Sequence, residues 1–134
     1  MSALKGSCLC GAVEFQCEND FDMFHLCHCS QCQKVSGSAH VSNLFTKANN
    51  IEWLKGESLV KRYDVPGRTI SHAFCECCGS SLPYTSGGGR YLIVPAGSLD
   101  EQPDIKPDDH IFWHERASWY DELGDTKKFN GFPE

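Results

Sequence analysis

Short runs of β-branched and aromatic residues recur along the chain, separated by Gly, Pro, Asn or Asp. That cadence predicts strands and turns rather than helices. Over residues 6–18 small or apolar positions alternate with polar ones, so a strand there places Val13 and Phe15 on one face. Asn19-Asp20 signals a turn, and residues 21–27 read as a second strand running directly into the sequence CHCSQC, with a short loop at Val35-Ser36-Gly37-Ser38. Further strands are expected over 39–45, 51–54, 59–65, 69–74 and 91–94. Gly87-Gly88-Gly89 fits a hairpin loop and lacks the spacing of a phosphate-binding loop. The one helical candidate is 117–123, after the polar His114-Glu115-Arg116. There is no internal repeat, heptad pattern or low-complexity tract. The expected architecture is mainly β.

With 134 residues the chain can close one hydrophobic core but not two, so a single domain over 1–134 is expected. Its 40% hydrophobic and 11% aromatic content is enough to oppose the entropy of the chain, which argues against disorder. The N-terminal MSALKGSCLCGAVEF lacks the apolar run of a secretory signal, and no stretch is long and apolar enough to span a bilayer. A cytoplasmic protein with no membrane partner is therefore expected. In that reducing compartment nine cysteines point to metal binding or catalysis rather than disulfides, and an odd number cannot pair completely. The net charge of −6 disfavours nucleic acid as a partner, and thiolates gathered around zinc would make the chain more negative still.

The cysteines fall into three groups: Cys8-Leu9-Cys10-Gly11, Cys27-His28-Cys29-Ser30-Gln31-Cys32 and Cys75-Glu76-Cys77-Cys78-Gly79. A tetrahedral zinc with bonds of about 2.3 Å to sulfur needs its ligands only about 4 Å apart, so they arrive as close-spaced pairs. A C-x-C pair meets this on a strand, where alternate residues share a face, and a C-x-x-C pair through a tight turn. Cys8, Cys10, Cys75 and Cys78 then form a complete four-ligand structural site, with reduced buried thiols or disulfides as the alternative. Cys27, Cys29 and Cys32 can reach one ion but leave a position open, as catalytic zinc sites do; otherwise a His or Cys from elsewhere closes the site, or it stays empty. Cys17 reads as a core residue, while Cys77 could replace Cys78 in register, Cys78 being preferred because Gly79 follows it. His28 should point away from its neighbours' metal. His25, His40, His72, His110 and His114 have no paired spacing and read as surface or core groups.

GSCLCGAVEF, CHCSQCQKVSGSAH, FCECCGSSL and the C-terminal HIFWHERASWYDEL together resemble the glutathione-dependent formaldehyde-activating enzyme family, also called the centromere-protein-V-like domain family, over nearly the whole chain. The resemblance implies a β-tent (Mss4-like) fold and two zinc ions per chain. It places structural zinc at Cys8, Cys10, Cys75 and Cys78 and catalytic zinc at Cys27, Cys29 and Cys32. It also implies a carbon–sulfur lyase activity in which glutathione and formaldehyde condense to S-hydroxymethylglutathione. Glutathione is anionic, and Lys34 and Arg90 are basic residues available to meet it; His28 and His40 are the nearest base candidates by sequence. A thiol entering the open position would lose its proton and attack a small aldehyde held nearby. The rival from another class is a non-catalytic zinc module that binds a protein partner or, against its charge, chromatin.

Overall fold

The structure, a computed structural model, describes residues 2–133. It is mainly β, in three small antiparallel-dominated sheets. In the first, β1 (Ala3–Ser7) and β2 (Glu14–Glu18) pair as a hairpin, with β5 (Glu52–Lys55) on the other side of β2. The expected single strand over 6–18 is therefore two strands, because residues 8–13 leave the ladder in a turn. Gly6 of β1 lies over Phe15, and a Cβ there would fall 2.2 Å from the ring, so only glycine fits.

The second sheet has the order β11-β3-β4-β10-β9, built from β3 (Met23–Cys27), β4 (Val41–Lys47), β9 (Tyr84–Thr85), β10 (Tyr91–Pro95) and β11 (Asp109–Ile111). Its strands are antiparallel except for β11, which runs parallel to β3. The third sheet joins β6 (Val60–Asp64), β7 (Ser71–Cys75) and β8 (Ser81–Leu82).

Side-chain alternation divides the second sheet into two faces. Phe24, Leu44, Thr46, Leu92 and Val94 are buried on one, where all but Thr46 join Val13, Phe15, Cys17, Cys75 and Leu82 in the hydrophobic core. The opposite face carries His25 and Cys27, which pair with Asn43 and Val41. Phe45, Ile93 and Tyr84 continue it across β4, β10 and β9. This face does not enter the core, and it becomes the floor of the cavity described below.

The expected strands at 39–45, 51–54, 59–65, 69–74 and 91–94 correspond to β4, β5, β6, β7 and β10, displaced by a residue or two at their ends. The helix is elsewhere. Residues 117–123 form no α-helix; the chain there makes 3-10 turns at Trp113–Glu115 and Tyr120–Asp125, tied by Arg116 Nε donating to Asp121 Oδ1 at 3.0 Å. The α-helix, α1, spans Ser30–Ser36 inside the middle cysteine group and ends on Gly37 at φ 64°. Gly37 takes the left-handed conformation that closes a helix most readily when no Cβ is present.

Candidate metal centres and the cavity beside them

Two turns build the four-cysteine group. After β1 the chain folds back at Cys8, where Gly11 N–H donates to Cys8 O and Cys8 N–H to Val13 O, both at 3.1 Å. After β7 the same shape recurs, with Gly79 N–H donating to Cys75 O at 2.7 Å. Gly11 and Gly79 sit at φ 79° and 77°, which a side chain would strain. Cys8 and Cys10 thus converge through a turn, not by sharing a strand face as the C-x-C spacing suggested. The two turns are also joined directly, because Leu9 N–H donates to Ser80 Oγ at 2.9 Å.

The sulfurs of Cys8, Cys10, Cys75 and Cys78 all lie within 4.8 Å of one another, with Cys8–Cys10 at 3.6 Å and Cys10–Cys75 at 4.0 Å. Sulfurs around a tetrahedral zinc are separated by about 3.8 Å. Val13 N–H donates to Cys8 Sγ and Cys77 N–H to Cys75 Sγ, at 3.3 and 3.4 Å. Hydrogen bonds from Ser80 hold the Cys78 thiol down at about 5. The donor set fits a metal ion. Cys77 is exposed and outside the group, while Cys17 is buried in the core, where desolvation pushes its thiol up to about 11.

The three-cysteine group is local. Cys27 ends β3, Cys29 is the N-cap of α1, and Cys32 sits buried in the first turn of the helix. The cap is made by sulfur: Cys29 Sγ accepts the Cys32 N–H at 3.3 Å, as a Ser or Asp oxygen would. The three sulfurs lie within 4.8 Å of one another, and among the described residues no fourth His, Cys, Asp or Glu joins them. A hydrogen bond from Cys32 lowers the Cys27 thiol to about 6, and that bond, with burial, drives the Cys32 thiol upward. Three sulfurs this close together are a donor set that fits a cation.

His28 does turn away. It is fully buried, with Nε2 2.9 Å from His110 Nδ1, and its ring packs edge-on against Trp113 and Tyr120 with centroids 5.1 and 4.7 Å away. Its Nδ1 has no hydrogen-bond partner.

Cys27, Cys29 and Cys32 open on a cavity of about 900 Å³. Its floor is the exposed face of the five-stranded sheet, and its walls are the start of α1, the β6–β7 turn, the glycine hairpin and the Phe112–Glu115 segment. Phe112 takes φ 54°, rare for a bulky side chain, at the cavity edge. The cations on the wall are Arg62 and Arg68, not Lys34, in the last turn of α1, or Arg90, whose guanidinium lies 5.2 Å from the Tyr91 ring centre. Arg62 is engaged by Asp64 at 2.9 Å and Ser71 at 3.1 Å, whereas Arg68 has no side-chain hydrogen bond or ion pair among the described residues.

Neither base candidate read from the sequence lines this cavity. His40 faces a smaller one of about 180 Å³ together with His72. The imidazole in the large cavity is His25, whose Nδ1 lies 2.5 Å from Asp109 Oδ1 across the β3–β11 pair. Strand alternation from Cys27 was the signal that could have placed it. The two cavities meet at Cys32, Asn43, Ile70, Ser71 and Tyr84, which line both. Burial, reinforced by the Cys32 sulfur, pushes the Tyr84 hydroxyl up to about 12 and keeps it protonated.

Comparison with known proteins places this geometry in context. The model of a family described as glutathione-dependent formaldehyde-activating enzyme matches residues 3–115. A Halomonas elongata protein, named provisionally as a glutathione-dependent formaldehyde-activating enzyme, is 26% identical over 140 aligned positions, covering 98% of this chain and 89% of its own. A Rhodobacter sphaeroides protein of known crystal structure superimposes with a TM-score of 0.61 at 23% identity, over 80% of this chain and 99% of that one, a likeness of fold.

Proposed function

The chain belongs to the glutathione-dependent formaldehyde-activating enzyme family, and from that premise we propose that it is a zinc-dependent enzyme of the carbon–sulfur lyase type. In this reading it makes or breaks the carbon–sulfur bond of a small thiol adduct, with glutathione as the thiol and formaldehyde as the aldehyde. The observation that carries the proposal is the convergence of Cys27, Cys29 and Cys32, without a fourth protein ligand among the described residues, on a cavity of about 900 Å³.

Cys8, Cys10, Cys75 and Cys78 would hold one zinc and Cys27, Cys29 and Cys32 a second. At the second group zinc would supply a positive charge that favours the thiolate form of an incoming thiol. The protein's own residues do the rest. Arg68, without an ion pair among the described residues, offers a guanidinium to a carboxylate of the thiol's tail, and Arg62, held by Asp64, lines the same cavity. Phe45, Ile93 and Ile111 exclude water from the floor, and Asp109 fixes the His25 ring. In the forward direction the thiol sulfur forms a bond to the aldehyde carbon, the carbonyl π pair moves onto oxygen, and the proton lost by the thiol ends on that oxygen. Positioning of the two reactants is the larger contribution, because both pieces are already reactive in water.

The same reading takes residues 1–134 as one domain in a reducing, cytoplasmic setting. Among the described residues no helix is long and apolar enough to cross a membrane, and all nine cysteines are free.

The test is the rate of hemithioacetal formation from glutathione and formaldehyde, followed with metallated protein, metal-free protein and the Cys29→Ser variant. Only the metallated wild type should exceed the uncatalysed rate. Cobalt placed at the second site should change its spectrum on adding thiol. If the rate stays at background and cobalt ignores thiol, the enzyme reading fails and a zinc module that binds a protein partner replaces it.

A further inference from the structure

Most polar side chains on the floor and near wall of the large cavity are already engaged. His25 is held by Asp109, Ser71 donates to Asp64 and accepts from Arg62, and Arg62 is occupied by both. Two are not. The amide of Asn43 on β4 and the hydroxyl of Tyr84 on β9 have no hydrogen-bond partner among the described residues, and both line the junction where the two cavities meet beside Cys32. Their strands flank β10, with Asn43 paired to Pro95 and Tyr84 to Ile93, so their backbones stand roughly 12 Å apart. Both belong to the sheet face that includes Cys27. Both side chains are half-buried and line the cavities, so a ligand oxygen seated there can take the place of water on them.

We propose that Asn43 and Tyr84 are the hydrogen-bond donors to the aldehyde oxygen, together forming an oxyanion site beside the three-cysteine group. The inference rests on the carbon–sulfur reading above and names the residues that would carry the developing charge. As the sulfur–carbon bond forms and the π pair collapses onto oxygen, Asn43 Nδ2–H and Tyr84 Oη–H shorten their bonds to that oxygen. The proton released by the thiol reaches it through solvent, so both residues leave the step unchanged. Donors fixed on strands need no reorganisation as the charge appears, which makes them more effective than water.

Tyr84→Phe removes one hydroxyl and keeps the ring, and Asn43→Ala removes the amide. Each should lower turnover of glutathione with formaldehyde by about 10- to 1,000-fold, while metal content, circular dichroism and the thiol-induced change in the cobalt spectrum stay as in wild type. A second readout does not depend on turnover: the infrared carbonyl stretch of isotope-labelled S-acetylglutathione bound to wild type should lie below its value in water and move back up in Tyr84→Phe. Wild-type acceleration with full rates and an unmoved stretch in both variants overturns this inference alone. A variant that loses the cobalt response also overturns it, because the residue then serves the thiol or the fold. If wild-type protein gives no acceleration at all, the carbon–sulfur reading falls and this assignment falls with it.

Discussion

The two cysteine groups use similar sulfur separations to opposite ends. The four-cysteine group joins turns 65 positions apart, Cys10 to Cys75, and the cavity beside it, of about 570 Å³, is lined by Cys8 but by none of the other three cysteines. The three-cysteine group lies within six consecutive residues, so it ties nothing distant together, yet all three of its cysteines line the cavity of about 900 Å³. Loop closure explains the difference: linking distant segments removes chain entropy from the unfolded state, whereas linking neighbours removes little. In the proposed reading one group holds the fold and the other meets a ligand.

The sharpest break of this comparison comes from single ligand losses. Structural zinc contributes on the order of 10–16 kcal/mol of apparent binding free energy in small domains, as much as a domain's whole net stability of about 5–15 kcal/mol. We expect Cys8→Ser or Cys75→Ser to yield unfolded or aggregated chain, and Cys29→Ser a folded chain with one zinc, as read by circular dichroism and metal analysis. Equal loss of structure in all three would erase the distinction.

A gentler change acts on the scaffold under the first turn alone. Gly56 sits at φ 74° with its missing Cβ position 2.1 Å from Ala12 O, two residues after Cys10. Gly56→Ala should therefore force the Cys8–Val13 turn to shift and cost about 2–4 kcal/mol. The urea midpoint should fall with an unchanged slope, and the cobalt response of the second site to thiol should survive in the fraction that stays folded.

Beside the three-cysteine group, Gly37→Ala meets no atom within 4 Å and carries only the strain of a left-handed backbone at φ 64°. We expect about 1 kcal/mol of lost stability. Because α1 presents Cys32, a chelator should also strip the second zinc sooner from this variant than the first.

Both cysteine groups were legible because ligand spacing is a local property, and most strands because alternation is. What failed was long-range or too short to carry a pattern. Residues 30–36 show no apolar periodicity; that helix is set by a sulfur cap at Cys29 and by Gly37. Strands β8, β9 and β11 have two or three residues each and exist through partners distant in sequence, as β11 does by lying against β3. The 117–123 segment has helix-forming residues, but the Arg116–Asp121 bonds and the packing of Trp113 and Tyr120 on His28 fix it in tighter turns. The cavity wall was illegible for the same reason: His25, Asn43, Arg62, Arg68 and Tyr84 come from separate segments that only the sheets bring together.

The smallest expected effect concerns the strand that both regions share. β7 begins at Ser71 in the cavity and ends at Cys75 in the four-cysteine group, with His72 between them on the wall of the smaller cavity. Burial lowers the pKa of His72, whose ring stacks on Phe74 with centroids 5.2 Å apart. In the unfolded chain the imidazole titrates near about 6.5. Between that value and its lowered folded value the unfolded state binds more protons, so stability falls as pH drops through this window. His72→Phe keeps an aromatic stack and removes the titration, so its stability should decline less than wild type on acidification below neutrality. Contributions from the cysteine groups and from His28 and His40, also lowered by burial, are common to both proteins and cancel in the difference. Parallel pH profiles of the urea midpoint would show that the proton does not enter the fold at His72.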